Sequence, residues 1–544
     1  MKKIIYLLSV LILSTLLNSC VNLDEDVRSN VATTNYYNTV KDAENASIGL
    51  YSNLTHNYSG QELGLAQTSQ GVGYFNRMSF ISFGTLTDND TPGQKGNDAE
   101  YRATCYFNHT TVGSKFQQFY RLAWEIINNA NSIIDRVPKI QGTNQTEIDK
   151  LDRIVREAKF IRALIYFNSI RFYGDVPLLI HETTSLSNLQ VSRTPKAEVL
   201  VQIKSDLHDA LKLPSSRYAN ADGFRANNVV ARALLIDVAL YEHNWQEAVL
   251  QGDTILQNSQ YSLFDNFADV FSTTKKNTQE HIFDAYYYAD GTSGGSGNTN
   301  RRAGADFPIY GYPARKVKGV IVTPALEANG SASDGLNLAA RNQFKKGDKR
   351  IYASFADTVY SNSTRTKKKY YPHLIKFRDY TNSIPSNSGV NYPIIRLAGV
   401  YLNYAEAQNE LGNFAQARVY LNLVRHRAGV YENTTLADKD LLRDSIFHER
   451  RLEFVGEVFN RYFDLVRLNG SGHYLLEKAI PALLQSGLKG VVNGIDKDGD
   501  AGLSYDTSVS KNANYAANPT KYLLLPIPYT ELLANPNLTQ NYGW

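Results

Sequence analysis

The sequence predicts a mainly α-helical protein in which paired helices form a scaffold, with long irregular loops and a few short strands between them. Three observations support this fold class. Apolar residues recur at intervals of three and four over several stretches, which is the helix period. Some of these stretches are separated only by short turns, such as His243-Asn244. Two long segments without periodicity interrupt the pattern.

The longest predicted helix runs from Thr146 to Tyr173. Thr146 is a suitable N-cap, and Asp149 follows three residues later in a capping-box arrangement. The second half of this helix is apolar on more than one face, so we expect it to be buried on several sides. Gly174, which can adopt a left-handed conformation, and Pro177 mark its end.

Further helices are predicted along the rest of the chain. They cover residues 35–54, 116–137, 197–211, 227–242, 245–257, 392–411, 414–428 and 439–468, the last with a break near Gly456. The pair around Leu411-Gly412-Asn413 has small and large residues in an order close to the tetratricopeptide pattern. Because no strict repeat period is present, we predict a degenerate tetratricopeptide-like scaffold within one domain, residues 35–544.

Charge and amino-acid composition limit the classes of partner that the protein is expected to bind. The chain has 544 residues and a net charge of +4, which argues against a nucleic acid as partner. Tyrosine is abundant, with 36 Tyr against 23 Phe and 3 Trp. A tyrosine ring offers an apolar face with a polar edge, which suits amphipathic ligands as well as helix packing.

The amino terminus predicts a lipoprotein signal peptide, residues 1–19, and a tether, residues 20–34. Two lysines precede an apolar run that is short for a membrane-spanning helix and typical of a secretory signal. Leu17-Asn18-Ser19-Cys20 resembles the bacterial lipobox, so we expect Cys20 to carry the lipid that anchors the chain. Ordinary secretion is the alternative. If Cys20 is acylated, the other cysteine, Cys105, has no intramolecular disulfide partner.

Two irregular segments, about 61–112 and 271–385, are the predicted functional surface, because long aperiodic segments in compact domains usually carry function. The second contains Tyr286-Tyr287-Tyr288 and His281-Ile282-Phe283, which we interpret as a small strand.

Asp496, Asp498 and Asp500 alternate as in a calcium-binding loop. Ala501 occupies the position at which such loops have glycine, and no glutamate closes the loop. A polar surface loop is the preferred interpretation, with a structural calcium ion as the alternative. No other metal or cofactor is predicted.

The sequence contains no recognisable catalytic motif. His448-Glu449 lies on a predicted helix, but no second histidine follows at the zinc-protease spacing. The nucleophile elbow and the phosphate-binding loops are also missing. A glycosidase pair of carboxylates could assemble from distant residues. Most acidic residues, however, lie on helix faces beside Arg or Lys, so we predict a structural role for them and no enzyme.

Three stretches together resemble the SusD/RagB family of outer-membrane, nutrient-binding lipoproteins of Bacteroidetes. The first is E-A-x-F-x-R-A-x-x-Y-F, from Glu157, closed by F-x-G-D-V-P-L. The second is E-R-R-L-E-F-x-G-E, from Glu449, followed by R-Y-F-D-L-V-R. The third runs from Leu525-Pro526-Ile527-Pro528 to Gly543-Trp544. They occur in the order of the family, and the resemblance extends from about residue 20 to residue 544, except for the segment 487–519.

The resemblance has implications for export and for the scaffold. Asp24-Glu25-Asp26 resembles the signal that sends such lipoproteins to the outer face of the outer membrane. The charged residues of the second stretch would form an ion network in the scaffold: Glu449, Arg450, Glu453, Glu457, Arg461, Asp464 and Arg467.

The resemblance also implies binding without turnover. Such a protein captures an oligosaccharide and delivers it, as a lid, to a SusC-like TonB-dependent transporter. Aromatic rings stack on the apolar face of a sugar, so the candidate ligand-binding residues are aromatics in irregular segments. They are Tyr74, Phe75, Tyr101, Tyr106, Tyr286, Tyr287, Tyr310 and Tyr312. Oligopeptide binding, as in the RagB branch, is the first alternative. A secreted glycoside hydrolase and a purely structural assembly protein are alternatives from other classes.

Overall fold

The computed structural model describes most of the helical scaffold and parts of the segments between its helices. The described residues are 36–55, 73–75, 84, 86–92, 100, 103–104, 107–185, 190–219, 222–288, 316–317, 320–321, 334–336, 338–341, 343–360, 368–379, 388–457, 459–467, 489–491, 505–510 and 519–544. The predicted signal peptide, the tether and Cys20 lie outside them and stay predictions. Within the described residues, no helix is both long enough and apolar enough to cross a membrane.

Helices dominate the described structure, which confirms the predicted fold class. The α-helices are α1 Val40–Ser52, α2 Ser114–Arg136, α3 Gln145–Tyr173, α4 Lys196–Ala210, α5 Asn228–Tyr241, α6 Trp245–Leu256, α7 Leu338–Arg341, α8 Ile351–Ser354, α9 Leu397–Glu410, α10 Phe414–Ala428, α11 Lys439–Glu453, α12 Asn460–Val466 and α13 Tyr529–Ala534. Short 3₁₀ helices lie at Val137–Lys139, Phe267–Phe271 and Pro519–Leu523.

The strands are short and pair two by two. They are β1 Asp90–Pro92, β2 His281–Ala285, β3 Lys316–Val317, β4 Val320–Ile321, β5 Asp334–Leu336, β6 Phe355–Tyr360, β7 Lys368–Leu374, β8 Tyr392–Arg396, β9 Lys489–Val491 and β10 Tyr505–Ser510. The antiparallel pairs are β1 with β5, β2 with β8, β3 with β4, β6 with β7, and β9 with β10. The described strands therefore form separate two-stranded pairs and no central sheet.

The long helix α3 begins slightly earlier than the sequence predicts. Its N-cap is Asn144, whose side-chain oxygen accepts a hydrogen bond from the backbone N–H of Glu147 at 3.1 Å. The Glu147 carboxylate in turn accepts from the backbone N–H of Thr143 at 2.8 Å. The prediction of Thr146 as N-cap is wrong, because Asn144 is at least as good a cap and lies in the extended conformation that a cap requires.

Burial of α3 on several sides is confirmed. Every residue from Glu157 to Ile170 is buried, except Lys159. The helix is about 43 Å long and packs against α1, α2, α4 and α5. It ends at Gly174, which has the positive φ (72°) that the sequence predicts for it.

Helix pairs continue the scaffold beyond α3, in agreement with the tetratricopeptide-like pattern. Helices α5 and α6 form one pair and α9 and α10 another, and α9 packs against both α5 and α6. The turn between α9 and α10 contains Gly412, with a φ of 82°. The α6 helix approaches α9 closely because Gly252 leaves room for the ring of Tyr404, which a β-carbon at residue 252 would meet.

One predicted helix is partly wrong. Residues 392–411 do not form a single helix, because Tyr392–Arg396 is strand β8, and α9 begins only at Leu397. Pro393 has no N–H to contribute to a helix, and β-branched isoleucines follow it. The partner of β8 is β2, His281–Ala285, which confirms the small strand predicted around Ile282.

A buried ion network joins the second half of the scaffold. Arg396 donates to Glu280 at 2.7 Å, to Glu453 at 2.5 Å and to both carboxylate oxygens of Glu457 at 2.9 and 3.0 Å. Lys376 donates to Glu457 at 2.6 Å. Acidic and basic side chains are present in equal number: Asp348, Glu280, Glu449, Glu453 and Glu457 with Arg350, Lys376, Arg396, Arg425 and Arg427.

The pKa values of the network follow from its composition. Burial works to raise the pKa of Glu453, but Arg427, Arg396 and Arg350 outweigh it and hold that pKa well below its ordinary value. Burial lowers the pKa of Lys376 to about 8, while Glu457 opposes this shift. The individual side chains of the network are therefore charged at neutral pH, and their charges sum to zero.

The scaffold ion network predicted from the second signature is confirmed. Besides Glu449, Glu453 and Glu457, its remaining members also form ion pairs. Arg450 pairs with Asp464 at 2.8 Å, Arg461 with Asp88 at 2.7 Å, and Arg467 with Glu406 at 2.6 Å. The break in the helix is also confirmed, because α11 ends at Glu453 and Gly456 has a φ of 73°.

Loss of one partner in this network should be costly. Replacing Arg396 by methionine leaves three carboxylates without their shared cation, and we expect the free energy of unfolding to fall by about 3–5 kcal/mol. Urea denaturation measures the loss. The matched control is Arg156→Met, which removes an exposed pair with Asp152 (3.1 Å) and should cost less than about 1 kcal/mol. Equal losses in the two variants would contradict the central role of the buried network.

The chain terminus packs around a buried histidine. The ring of His109 lies 4.8 Å from Trp544, 5.2 Å from Phe116 and 5.8 Å from Tyr522, measured between centroids. Within the part of the chain that the structure describes, neither ring nitrogen forms a hydrogen bond. Burial, with the nearby Lys521, lowers the pKa of His109 to about 3.

This histidine should make stability depend on pH. Its folded pKa lies below the ordinary value of 6.5, so the unfolded chain binds the proton more readily. Stability is then lost as the pH falls from about 6.5 towards about 3, by about 2 kcal/mol at about pH 5. His109→Leu should flatten this slope in urea denaturation series, whereas the same change at exposed His208 should leave it in place. A slope that survives in His109→Leu would contradict the assignment.

Candidate functional site

The predicted aromatic platform divides into buried and accessible residues. Tyr74, Phe75 and Tyr287 are 0%, 4% and 2% exposed. Their rings are covered by protein, so the prediction that they stack on a ligand is wrong for this structure. A search for aromatics in irregular segments cannot make this distinction, because short irregular pieces can also enter the core.

The three buried rings have structural partners. Tyr74 stacks on Phe119 at 4.8 Å between centroids, and Phe75 stacks on Tyr392 at 6.0 Å. The Tyr287 hydroxyl donates to the backbone carbonyl of Phe75 at 2.7 Å. These contacts fasten the segment 73–75 to the strands β2 and β8, which is a packing role.

Other predicted site residues lie outside the described residues and stay predictions. They are Tyr101, Tyr106, Tyr310 and Tyr312 for the ligand, Cys20 for the lipid, and Asp496, Asp498 and Asp500 for calcium. Within the described residues, no group of three or more His, Cys, Asp or Glu side chains could hold a metal ion.

The accessible aromatics lie where β2 leaves the scaffold. Burial alternates along Tyr286-Tyr287-Tyr288, because Tyr286 is half-buried, Tyr287 is buried and Tyr288 is 71% exposed. Strands send successive side chains to opposite sides. All five residues of β2 are buried, so the alternation of burial begins only past the end of the strand at Ala285. Within the described residues of this segment, a ligand can thus reach Tyr286, which the sequence analysis predicted, and Tyr288, which it did not.

The loop between α4 and α5 supplies the neighbours of Tyr286. The ring of Phe224, itself half-buried, packs edge-on against Tyr286 with centroids 6.2 Å apart. Arg217 fastens the same loop to β2 by donating to the carbonyl of His281 at 2.5 Å. We call the surface formed by Tyr286, Tyr288 and Phe224 the β2 exit face.

Sequence reasoning missed Phe224, although a signal for it was available. Phe224 lies in an irregular stretch between two helices, and the criterion used for the other candidates applies to it equally. What the sequence does not show is that this loop and β2 are neighbours, since about 60 residues separate them along the chain.

The chemistry of the β2 exit face suits a polyhydroxylated ligand. Burial and the nearby Asp284 raise the pKa of the Tyr286 phenol, so it stays protonated at neutral pH. Within the described residues the Tyr286 hydroxyl makes no hydrogen bond, so it is available to donate or accept. An aromatic face with a hydroxyl at its edge matches a sugar ring, whose C–H face is apolar and whose rim is polar.

Glycine at position 223 is a steric requirement of this face. A β-carbon there would lie 2.8 Å from the Tyr286 hydroxyl oxygen and 2.5 Å from the Asn277 amide nitrogen. The Asn277 amide is held in place, because it donates to the carbonyl of Tyr218 at 3.1 Å.

The Gly223→Ala variant should therefore displace Tyr286 and lower the free energy of unfolding by about 1 kcal/mol. The control is Gly49→Ala in α1, where no atom lies within 4 Å of the added carbon. That variant should be stabilised by up to about 1 kcal/mol, because alanine is the better helix former. Thermal denaturation compares the two, and stabilisation of both variants would show that residue 223 has free space.

Three buried glutamates of the late signature have structural partners. Glu449, Glu453 and Glu457 are each bound by at least one buried cation. A glycosidase acid needs a carboxyl group with a raised pKa beside a second, open carboxylate. These glutamates instead hold the scaffold together, as predicted from their positions beside Arg residues.

The fold and the site together define a class: a helix-pair scaffold with a loop-built aromatic surface. A family model described as "SusD family" matches residues 257–544, and one described as "Starch-binding associating with outer membrane" matches residues 52–240. The chain belongs to the SusD family, as its three signatures predict.

Individual relatives agree with this assignment. SusD-like protein P25 of Formosa agariphila is 29% identical over 472 residues, which cover 82% of this chain and 86% of that protein. A SusD-like protein of Bacteroides ovatus is 23% identical over 518 residues, covering 86% of this chain and 87% of its own.

Solved structures show the same fold. A SusD homologue of Bacteroides thetaiotaomicron superposes with a TM-score of 0.74 at 20% identity, over 94% of this chain and 98% of that one. A laminarin-binding SusD-like protein superposes with a TM-score of 0.71 at 23% identity, over 93% of this chain and 100% of that one. At these identities the likeness shows the fold alone.

Proposed function

We propose that this protein binds an oligosaccharide at the outer membrane and does not hydrolyse it. The observation that carries the proposal is the β2 exit face, where two accessible tyrosines and Phe224 present rings and a phenolic hydroxyl on a rigid support. The family description and the laminarin-binding relative support a glycan as the ligand class.

The wider role follows from the family. Lipidation at Cys20 would hold the chain on the outer membrane, and the bound glycan would pass to a SusC-like TonB-dependent transporter for which this protein acts as a lid. The predicted signal peptide, the lipobox and the acidic tether support this arrangement. Outer-membrane association also agrees with the description of the second family model.

The rigidity of the β2 exit face supports binding by a preformed surface. Tyr287, between the two accessible tyrosines, is fixed from three directions. Its hydroxyl donates to Phe75, its backbone N–H donates to Asn391 at 3.0 Å, and its carbonyl accepts from Lys276 at 2.7 Å. Little conformational entropy remains to be lost when a ligand stacks on the neighbouring rings, which favours affinity.

Removal of either accessible ring should weaken glycan binding. We expect Tyr286→Ala and Tyr288→Ala each to lose about 1–2 kcal/mol of binding free energy, or about five- to thirty-fold in Kd. Titration calorimetry of the mature chain carrying Cys20→Ser, against laminarin and starch oligosaccharides, measures this. The matched control is Tyr431→Ala, because Tyr431 is equally exposed (73%) but lies between α10 and α11.

The same titrations separate the alternatives. Heat from mixed oligopeptides and none from glycans would move the ligand class to peptides, as in the RagB branch. Glycan binding that is equal in the Tyr288→Ala, Tyr286→Ala and Tyr431→Ala variants would place the site elsewhere. Release of reducing ends from a bound glycan would contradict the non-catalytic assignment.

A further inference from the structure

A cavity that is separate from the β2 exit face lies on another part of the scaffold. It has a volume of about 520 Å³ and is bounded by the end of α3, the start of α4, the end of α5, α12 and the segment 520–524. This volume is within the range of small-molecule sites, which is about 300–1,000 Å³. No residue of the β2 exit face lines it.

The walls of this cavity are largely apolar. They include Leu200, Phe463, Val466, Leu523 and Leu524, with Tyr241 and the 76% exposed Tyr542. An apolar wall of this size gains free energy when it is covered by the hydrophobic part of a ligand.

Arg171 is the most unusual group in the cavity. Its guanidinium lies between the rings of Phe167 and Phe463, at 4.0 and 3.5 Å from their centroids. It donates one hydrogen bond, to the Asn168 side chain, and its buried Nε has no hydrogen-bond partner within the described part of the chain. Among the described residues, no carboxylate lies within ion-pair distance of it.

The charge of Arg171 is retained in spite of burial. Burial lowers the pKa of Arg171 to about 10, and the Asp237 carboxylate works in the opposite direction. Asp237 lies in a small adjoining cavity, where the amide of Asn403 donates to it. The guanidinium is thus positive at neutral pH and only partly compensated.

Two lysines add further positive charge at the same cavity. The Lys196 ammonium lies 5.7 Å from the ring of Tyr241, and the Lys521 ammonium lies 4.1 Å from the ring of Trp544. Neither ammonium forms an ion pair with a residue that the structure describes. The N–H groups at the start of α4 are not the source of the site, because the backbone N–H of Lys196 already donates to Asp175 at 2.8 Å.

The remaining charged residues of the cavity are neutralised locally. Arg467 forms two hydrogen bonds with the carboxylate of Glu406, at 2.6 and 2.7 Å. Glu242 accepts from Lys204 at 2.8 and 3.0 Å. Arg171, Lys196 and Lys521 therefore set the charge of an otherwise apolar cavity.

We propose that this cavity binds a small amphipathic carboxylate, whose apolar body lies against Phe463 and the leucines while its anionic group is held by Arg171, Lys196 and Lys521. Guanidinium and ammonium groups form charge-assisted hydrogen bonds with carboxylates, and these are stronger in a dehydrated, apolar surrounding. The site is separate from the β2 exit face and does not depend on the proposed glycan function.

A carboxylate of this kind has two possible sources, a uronic acid residue of a glycan and a free aromatic or aliphatic acid. Titration calorimetry of the mature chain with Cys20→Ser distinguishes them with matched pairs of probes. The first pair is a glucuronosyl-glucose disaccharide and the neutral disaccharide cellobiose. The second pair is 2-naphthoate and the neutral 2-naphthamide. We expect at least one acid to bind about ten-fold or more tightly than its neutral partner, and the affinity to fall as salt is added.

Variants test the assignment of the cations. Lys196→Gln combined with Lys521→Gln removes the charges of two residues that line the cavity, and we expect Kd for the acid to rise by about ten-fold or more. Arg171→Met keeps an unbranched side chain between the two rings and should abolish the preference for the acid over its neutral partner. Lys212→Gln is the control, because Lys212 lies outside the cavity in an exposed pair with Asp209 at 2.7 Å.

The lysine variants keep the test decisive even if Arg171→Met fails to fold, since both lysines lie at the surface of the cavity. Three results would overturn the proposal: no heat from either acid at millimolar concentration, equal binding of acids and neutral partners, or unchanged acid binding in the double lysine variant. Glycan binding in the Tyr288→Ala series is measured with neutral sugars, so failure of one proposal leaves the other unaffected.

Discussion

The buried contacts of Arg396 are the interaction on which the second half of the scaffold depends. One guanidinium joins Glu280 before β2, its own strand β8, and Glu453 and Glu457 at the end of α11. Such a group is expensive to bury, and its cost is offset only when every partner is in place. The network therefore acts as a geometric constraint: β2 and β8 must pair in one register, and α11 must end where it does, for the charges to match.

This constraint determines where the proposed glycan site can form. The ion network and the pairing with β8 hold β2 in place. The three tyrosines that directly follow the end of β2, Tyr286, Tyr287 and Tyr288, therefore have a fixed position. Tyr287 then enters the core, and its two neighbours reach the surface. A rigid scaffold that presents a few rings at a strand end is a common way of building a binding surface, since the rings lose little freedom on binding.

The two proposed sites differ in the way they use aromatic groups. On the β2 exit face, the rings and a phenolic hydroxyl are themselves the binding groups. In the cavity beside α3, Phe167 and Phe463 hold Arg171 between them, and its guanidinium is the proposed binding group. The difference arises from burial: a guanidinium between two rings is shielded from water but keeps its charge, so a carboxylate that reaches it gains more than it would at the surface.

The sequence by itself determined most of the helices, because helix periodicity is a local property, and its three signatures identified the family. It also identified Glu449, Glu453 and Arg450 as members of a structural network. Tertiary structure decided the rest. Pro393 and the isoleucines after it disfavour a helix locally, and pairing with β2 completes strand β8. Tyr74, Phe75 and Tyr287 became core. Phe224 packs against Tyr286, and Arg171, Lys196 and Lys521 line one cavity. These residues are distant in the chain, and no local pattern encodes their proximity.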